Sequence, residues 1–238
     1  MNPLLAEVLD AYGGFDRWRG FNRVSATIVM GGVLWAMKGI DMDPTPRVAT
    51  SEFHRQWTSV QPFGNPDYRL VFVPERVAIK TWAGVIVAER DEPRAAFAGH
   101  DLNTPWDPLH LGYFNGYAMW TYYAVPFVLA EPGFEVTEIA PITQDGETLR
   151  GLRARFPNNI VSHCAEQSFY FGSDGLLRRH DYDVDVLGGW RWAHMLSDYI
   201  DVQGLRFPTR RRVYECGEDG RPQDLMTISL DLSNYKLG

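Results

Sequence analysis

The segment DPLHLGYFNGYAMWTYYAVPFVLA, residues 107–130, restricts the fold more than any other part of this chain. Asp107 can accept hydrogen bonds from the free N–H groups of a first helical turn, and Pro108 needs no N–H partner there, so the pair reads as N-cap and first helical position. A helix of about four or five turns should follow, kinked or ended by Pro126. Tyr113, Phe114, Tyr117, Trp120, Tyr122 and Tyr123 nearly encircle it. A helix apolar on most sides is buried on most sides. It therefore needs a surface that wraps around it.

The remaining chain reads as the strands of such a surface. Runs rich in β-branched and aromatic residues occupy positions 24–30, 33–39, 47–50, 52–60, 68–73, 76–81 and 85–89 before the helix, separated by Gly, Pro and Asn-Pro signals. After Gly133 they resume at 134–139, 148–156, 160–171, 176–186, 194–202, 205–214 and 225–232, joined by short glycine-containing loops that favour antiparallel neighbours. Leu4, Leu5, Val8, Leu9 and Tyr12 fall at helical spacing before Gly13-Gly14, which places N-terminal helices within residues 1–21. With 238 residues and 45% hydrophobic content, the chain suits one domain spanning 1–238. The expected fold is mainly β (α+β). It is a curved antiparallel sheet with an N-terminal helix and a central aromatic helix, 107–130, set against its concave face as plug or lid.

Charge and composition exclude several functions. The net charge is −7 and the only basic run is Arg210 to Arg212, so no nucleic-acid partner is expected. No stretch of about 18 apolar residues occurs, so the chain should not span a membrane. The N-terminus lacks the basic start and long apolar core of an export signal, and the two cysteines form no CxxC pair, which together point to a cytoplasmic setting.

RRHDYDVDVLGG, residues 178–189, spaces Asp181, Asp183 and Asp185 like the start of a calcium loop. Such a loop needs glycine at position 6 and glutamate at position 12, where this chain has Val186 and Trp192. The aspartates are instead the wet face of a strand, and His180, Tyr182 and Val184 point to the other side. Pairing Phe171 with Leu176 would set Gln167 opposite His180 and His163 opposite Val184, all on that face. The next strand adds His194 and Asp198, with Asp198 facing Thr209 and lying diagonal to Arg211.

This face carries more polar groups than a pure core needs, and two readings fit it. In one, Asp198 pairs with Arg211 and the histidines are satisfied by tyrosines or backbone. In the other, His163, His180 or His194 performs acid–base chemistry on an apolar substrate, with Tyr182 and Asp198 orienting the groups. Gln167 and Phe169 would then join His110, Tyr113, Tyr117, Trp120 and Tyr123 in binding the ligand. His110 lies in the first helical turn, where an anion would also be welcome. The three strand histidines form no HxH or HxxxH pair, so neither a metal nor a cofactor is expected. Cys164 points away from its neighbour His163, which argues against a thiol nucleophile.

Two segments carry a resemblance. AYGGFDRWRGFNRV at 11–24, and YFGSDGLLRRHDYDVDV with SDYIDVQGLRFPTRRRVY within 170–214, resemble the opening helix and late meander of the LolA-like superfamily. Those proteins include bacterial lipoprotein carriers and an enzyme of violacein biosynthesis. The resemblance implies a half-barrel, a strongly curved sheet forming an unclosed barrel, whose apolar concavity takes lipids or other greasy ligands. Together these readings describe a cytoplasmic protein that binds a small apolar or aromatic molecule, or turns it over by cofactor-independent acid–base chemistry. The alternative is a non-catalytic carrier or chaperone for a lipid, acyl chain or lipidated partner. A homodimer, formed through a sheet edge or an aromatic surface, is compatible with either.

Overall fold

The computed structural model describes residues 1–217 and 219–238. Among the described residues, thirteen antiparallel strands form one sheet. The first six are β1 (Arg23–Gly31), β2 (Arg47–Glu52), β3 (Thr58–Gln61), β4 (Tyr68–Val73), β5 (Arg76–Thr81) and β6 (Ile86–Asp91). The other seven are β7 (Glu135–Gln144), β8 (Glu147–Arg155), β9 (Glu166–Phe171), β10 (Leu177–Val184), β11 (Trp190–Val202), β12 (Leu205–Cys216) and β13 (Pro222–Leu237). Each set is a meander of consecutive strands, and β1 pairs with β13 to fuse the two. β6 and β7 end the sheet and do not pair with each other, so the curved sheet stays unclosed.

Four α-helices among the described residues accompany it: α1 (Pro3–Ala11), α2 (Phe15–Arg19), α3 (Leu34–Met37) and α4 (Pro108–Ala124). Among the described residues, no helix is long and apolar enough to cross a membrane. Asn2 caps α1 by accepting from the Leu5 N–H, and the helix buries Leu4, Leu5, Val8 and Leu9. The start of α4 follows its sequence closely. Asp107 accepts from the N–H groups of Leu109 and His110, and Arg90 holds its carboxylate from β6 at 2.6 Å. Beyond the first turn nearly every residue of α4 is buried, and Val125 ends the helix before Pro126.

Two glycines let α4 approach the sheet. A Cβ on Gly116 would overlap the Phe72 ring, and one on Gly112 would meet the tip of Leu70, so the helix backbone rides directly on β4. Tyr113, Phe114, Tyr117, Trp120 and Tyr123 then fill the concavity, each at most 2% exposed. A fully buried ring of this kind is worth roughly 1.5–3 kcal/mol, which outweighs the modest helix propensity of aromatics.

The strand expected over 52–60 is interrupted: β2 runs to Glu52, β3 starts at Thr58, and 53–57 connect them. The structure corrects the sequence reading at four other places. Residues 33–39 are not a strand: the chain turns at Gly32 and coils into α3, where Trp35 is buried and donates to the Gly31 carbonyl at 2.9 Å. Residues 160–165 are held off the sheet. The Gln56 side chain takes both backbone groups of Val161, at 2.7 Å each, and so replaces a strand partner. The turn pairs Phe171 with Leu177 where Leu176 was expected, and a bulge between Leu177 and Arg179 adds one more residue, setting His180 opposite Phe169 instead of Gln167. The shift is two residues, which preserves the face.

Asp198 is the fourth. Its pairing partner is Thr209, as the turn geometry requires, but its backbone is left-handed at φ 58° and its side chain is exposed. Tyr199 goes inward instead, donating to the Leu177 carbonyl at 2.8 Å and sharing a 2.8 Å bond with the Tyr12 hydroxyl. Among the described residues, Asp198 makes no ion pair with Arg211.

Candidate functional site

The histidine face folds into a sealed aromatic cluster. His163 stacks on Tyr182 with ring centroids 4.1 Å apart, and its Nε2 lies 3.3 Å from the Tyr122 hydroxyl. That hydroxyl also meets the Tyr182 hydroxyl at 3.1 Å. His180 stacks on Phe169 at 4.3 Å, and its Nε2 lies 2.7 Å from Gln167 Oε1. Gln167 donates its amide N–H to the Cys164 carbonyl, so its oxygen must accept from His180, which fixes the proton on Nε2. His194 is fully buried beside Tyr122, at 4.6 Å between ring centroids, and neither ring nitrogen has a partner among the described residues.

Burial sets the protonation of all three rings. Desolvation, helped by the Arg94 charge, pushes the His163 pKa down to about 3. Desolvation and neighbouring positive groups, Arg211 among them, hold His180 and His194 well below the ordinary histidine range. Burial raises Tyr182 and Tyr122 in turn, so the cluster is neutral. The Cys164 thiol, pushed up to about 11 by burial, donates to the Glu166 carbonyl. Among the described residues, no group of three or more His, Cys, Asp or Glu side chains is placed to hold a metal ion.

His110 belongs to the helix start. Its Nδ1 accepts the Asp107 N–H at 3.2 Å, closing a capping box, and Nε2 then carries the proton it donates to the Ala96 carbonyl at 3.3 Å. The anion at that turn is Asp107 itself. Among the described residues no hydrogen-bond partner meets the buried hydroxyls of Tyr113, Tyr117 and Tyr123, while Trp120 donates to the Glu52 carbonyl at 2.8 Å.

Open space lies at the other end of α4. A cleft of about 300 Å³ separates its first turns from the 39–43 segment, with Met30, Ile40, Met42, Phe63, Trp106 and Leu111 among its walls. Around Pro108 it adjoins a second hollow of about 350 Å³ over β4 to β6, walled by Phe63, Tyr68, Ile79, Val87 and Leu109. Lys38 shapes the cleft from behind. Its ammonium is buried, donates to the carbonyls of Asp101 and Thr104, and lies 5.0 Å from the Trp106 ring centroid. Burial pulls its pKa down to about 8.

Met30 and Asn115 form a partition. They border both the outer cleft and an inner hollow of about 20 Å³ that His194, Tyr122 and Arg211 also line. Of the sequence-chosen residues, His163, His180, His194, Tyr182, Gln167 and Phe169 come together, whereas Asp198 and His110 stand apart. Sequence reasoning missed Asn115 and the cleft walls, and took Arg211 only as a partner for Asp198. Asn115 had a signal, being the one amide on an otherwise apolar helix, and so had Arg211, which shares its parity on β12 with Leu205, Phe207 and Val213.

No protein-family model matches this chain, and no curated protein matches it. Solved structures do. A LolA superfamily protein from Nitrosomonas europaea superposes with a TM-score of 0.54 at 10% identity, covering 98% of this chain and 92% of that one. A DUF1329 family protein from Desulfovibrio piger gives 0.54 at 11% identity, over 100% and 94% of the two chains. At such identities the likeness is one of architecture, an open curved antiparallel sheet around helices, and this chain has the LolA-like fold.

Proposed function

We propose that this protein binds a small apolar or aromatic molecule in the cleft beside the first turns of α4, within the reducing cytoplasm. The observation that carries the reading is the pair of adjoining hollows, about 300 and 350 Å³, with mostly apolar walls and a few polar groups at the edges. That is the size and lining of small-molecule sites. The resemblance to proteins that carry greasy ligands on this scaffold supports it.

Acid–base turnover is the second reading, and it rests on His194. Of the three clustered histidines, His194 borders the hollow that shares walls with the cleft, whereas His163 is packed between Tyr182 and the Tyr117 ring. A carrier needs only the cleft; an enzyme needs the partition at Met30 and Asn115 to open.

Fluorescence titration with N-phenyl-1-naphthylamine, a neutral apolar probe, tests the binding reading. Saturable binding should weaken at least tenfold, about 1.4 kcal/mol, in Leu111→Glu with the fold retained, because a carboxylate there would have to lose its water. Binding that is absent, or untouched by this substitution, would refute it.

A further inference from the structure

We propose that the inner hollow is a headgroup site and that the headgroup it takes is a carboxylate; the inference rests on the cleft being the ligand site. The geometry begins with Arg211. Its side chain projects from β12 into the concavity and is 4% exposed. The other buried arginine, Arg179, has a bidentate partner in Asp181 at 2.6 and 2.8 Å. Arg211 has none: among the described residues no carboxylate lies within 4.0 Å of its guanidinium. A guanidinium keeps its charge in proteins, and a buried charge is costly unless paired.

Helix α4 compensates for part of that charge. Arg211 donates to the Tyr122 carbonyl at 2.7 Å and lies 4.8 Å from the centre of the Tyr122 ring. The helix C-terminus offers roughly half a negative charge, which leaves the guanidinium incompletely neutralised. Among the described residues, Arg211 Nε is buried without a partner, and so are both nitrogens of His194 across the same hollow. A single water would fit about 20 Å³ and could satisfy hydrogen bonds. It would not balance the charge.

A carboxylate does both, accepting from the guanidinium and from the one N–H of a neutral His194. The way in is the partition. Asn115 is 4% exposed, and the contact its amide makes is a 4.0 Å approach to the Met30 sulfur. Methionine is the side chain best able to swing aside, and its displacement opens the inner hollow to the outer cleft. The ligand class is thus an apolar monocarboxylic acid, with its head at Arg211 and its body among Phe63, Trp106 and Leu111.

Calorimetric titration of the full chain with acetate, decanol and decanoate separates the sources of affinity. Decanoate should bind at least tenfold more tightly than decanol, and acetate should show no saturation at millimolar concentration. In Arg211→Met the decanoate preference should vanish while decanol binding stays. Should that variant fail to fold, Met30→Trp closes the partition with Arg211 intact and should bring decanoate to the level of decanol. Equal binding of decanol and decanoate by the unaltered protein would overturn the headgroup assignment and leave the cleft standing. Acetate binding as tightly as decanoate would overturn it too, making the hollow a free-anion site. Binding of neither ten-carbon ligand would remove the cleft reading and this inference together.

Discussion

The two ends of helix α4 meet opposite environments on one scaffold. At its start, Asp107, Arg90 and His110 form a hydrogen-bonded collar at the rim, and apolar walls leave hollows of several hundred Å³. Toward its end the concavity is packed shut, with Tyr122 bridging His163 and Tyr182, and Arg211 against the last carbonyls. The difference lies in what flanks the helix. The first turns sit tightly on β4 at Gly112 and Gly116 but leave space toward the 39–43 segment, while the last turn is met by Arg211 of β12 and Tyr235 of β13. Rigidity and ligand space are thus divided along one helix. An accessible site falls at its start and the unpaired polar groups at its buried end.

Acid should break the packed end first. His163, His180 and His194 are held neutral when folded, His163 with a pKa of about 3, but titrate near 6.5 in the unfolded chain. Below pH 6.5 the unfolded state binds more protons, so stability falls as pH falls, by up to about 4 kcal/mol per unit once all three titrate. Set against a typical total of about 5–15 kcal/mol, that slope should unfold the protein between about pH 5 and 3. Urea unfolding at pH 7, 6 and 5 measures it. Each His→Gln replacement should remove about a third of the slope, and a flat profile would mean that the histidines are solvated.

Truncation gives the next largest contrast. Trp120→Ala, at the packed end, should cost about 3–5 kcal/mol, because it empties a buried ring and strands the Glu52 carbonyl. Leu111→Ala, on the cleft wall, should cost about 1 kcal/mol, since that side chain already borders open space. Urea midpoints compare the two. Equal costs would show that the cleft is collapsed in solution.

These contrasts also mark what could be read from the sequence. The helix start was legible because Asp107-Pro108 is a local signal, and the antiparallel meanders because period-two runs and short glycine loops are local too; the half-barrel itself came through the resemblance carried by residues 11–24 and 170–214. The inward face was legible at His180, Tyr182 and His194, where side-chain parity alone decides. Asp198 was not, because one left-handed residue re-aims the strand and no neighbour announces it. His163 kept its burial but lost its strand, through the distant Gln56 side chain. The cleft was invisible for the same reason. Its walls come from the 39–43 segment, Phe63, Trp106 and the first turns of α4, which are distant in the chain and meet only through the path of the whole curved sheet.

Gly116 tests how closely the helix is seated. In an exposed helix, Gly→Ala stabilises by roughly 0.5–1 kcal/mol. Here the added methyl meets the Cβ and ring carbons of Phe72, which are not a flexible tip, so Gly116→Ala should instead cost about 1–3 kcal/mol. Thermal unfolding decides the sign. Stabilisation would mean that α4 sits further from β4 and that the cleft is correspondingly wider.

The smallest effect belongs to the collar. Burial raises the Asp107 pKa, but the Arg90 guanidinium and the His110 N–H outweigh it and hold the carboxyl below the usual carboxylate range. A carboxyl so depressed contributes stability above its unfolded pKa of about 3.9 and loses it as pH falls through the lower folded value. Asp107→Asn keeps a capping oxygen and loses the ion pair with Arg90, so at pH 7 it should cost about 0.5–1 kcal/mol, while Asp107→Ala should cost about 1–2 kcal/mol. The partly exposed ion pair limits both figures. The collar also holds Pro108, which both hollows share, so apolar-probe affinity should fall with stability in Asp107→Ala and recover in Asp107→Asn. Unchanged affinity in the alanine variant would show that the packed end alone fixes the position of α4.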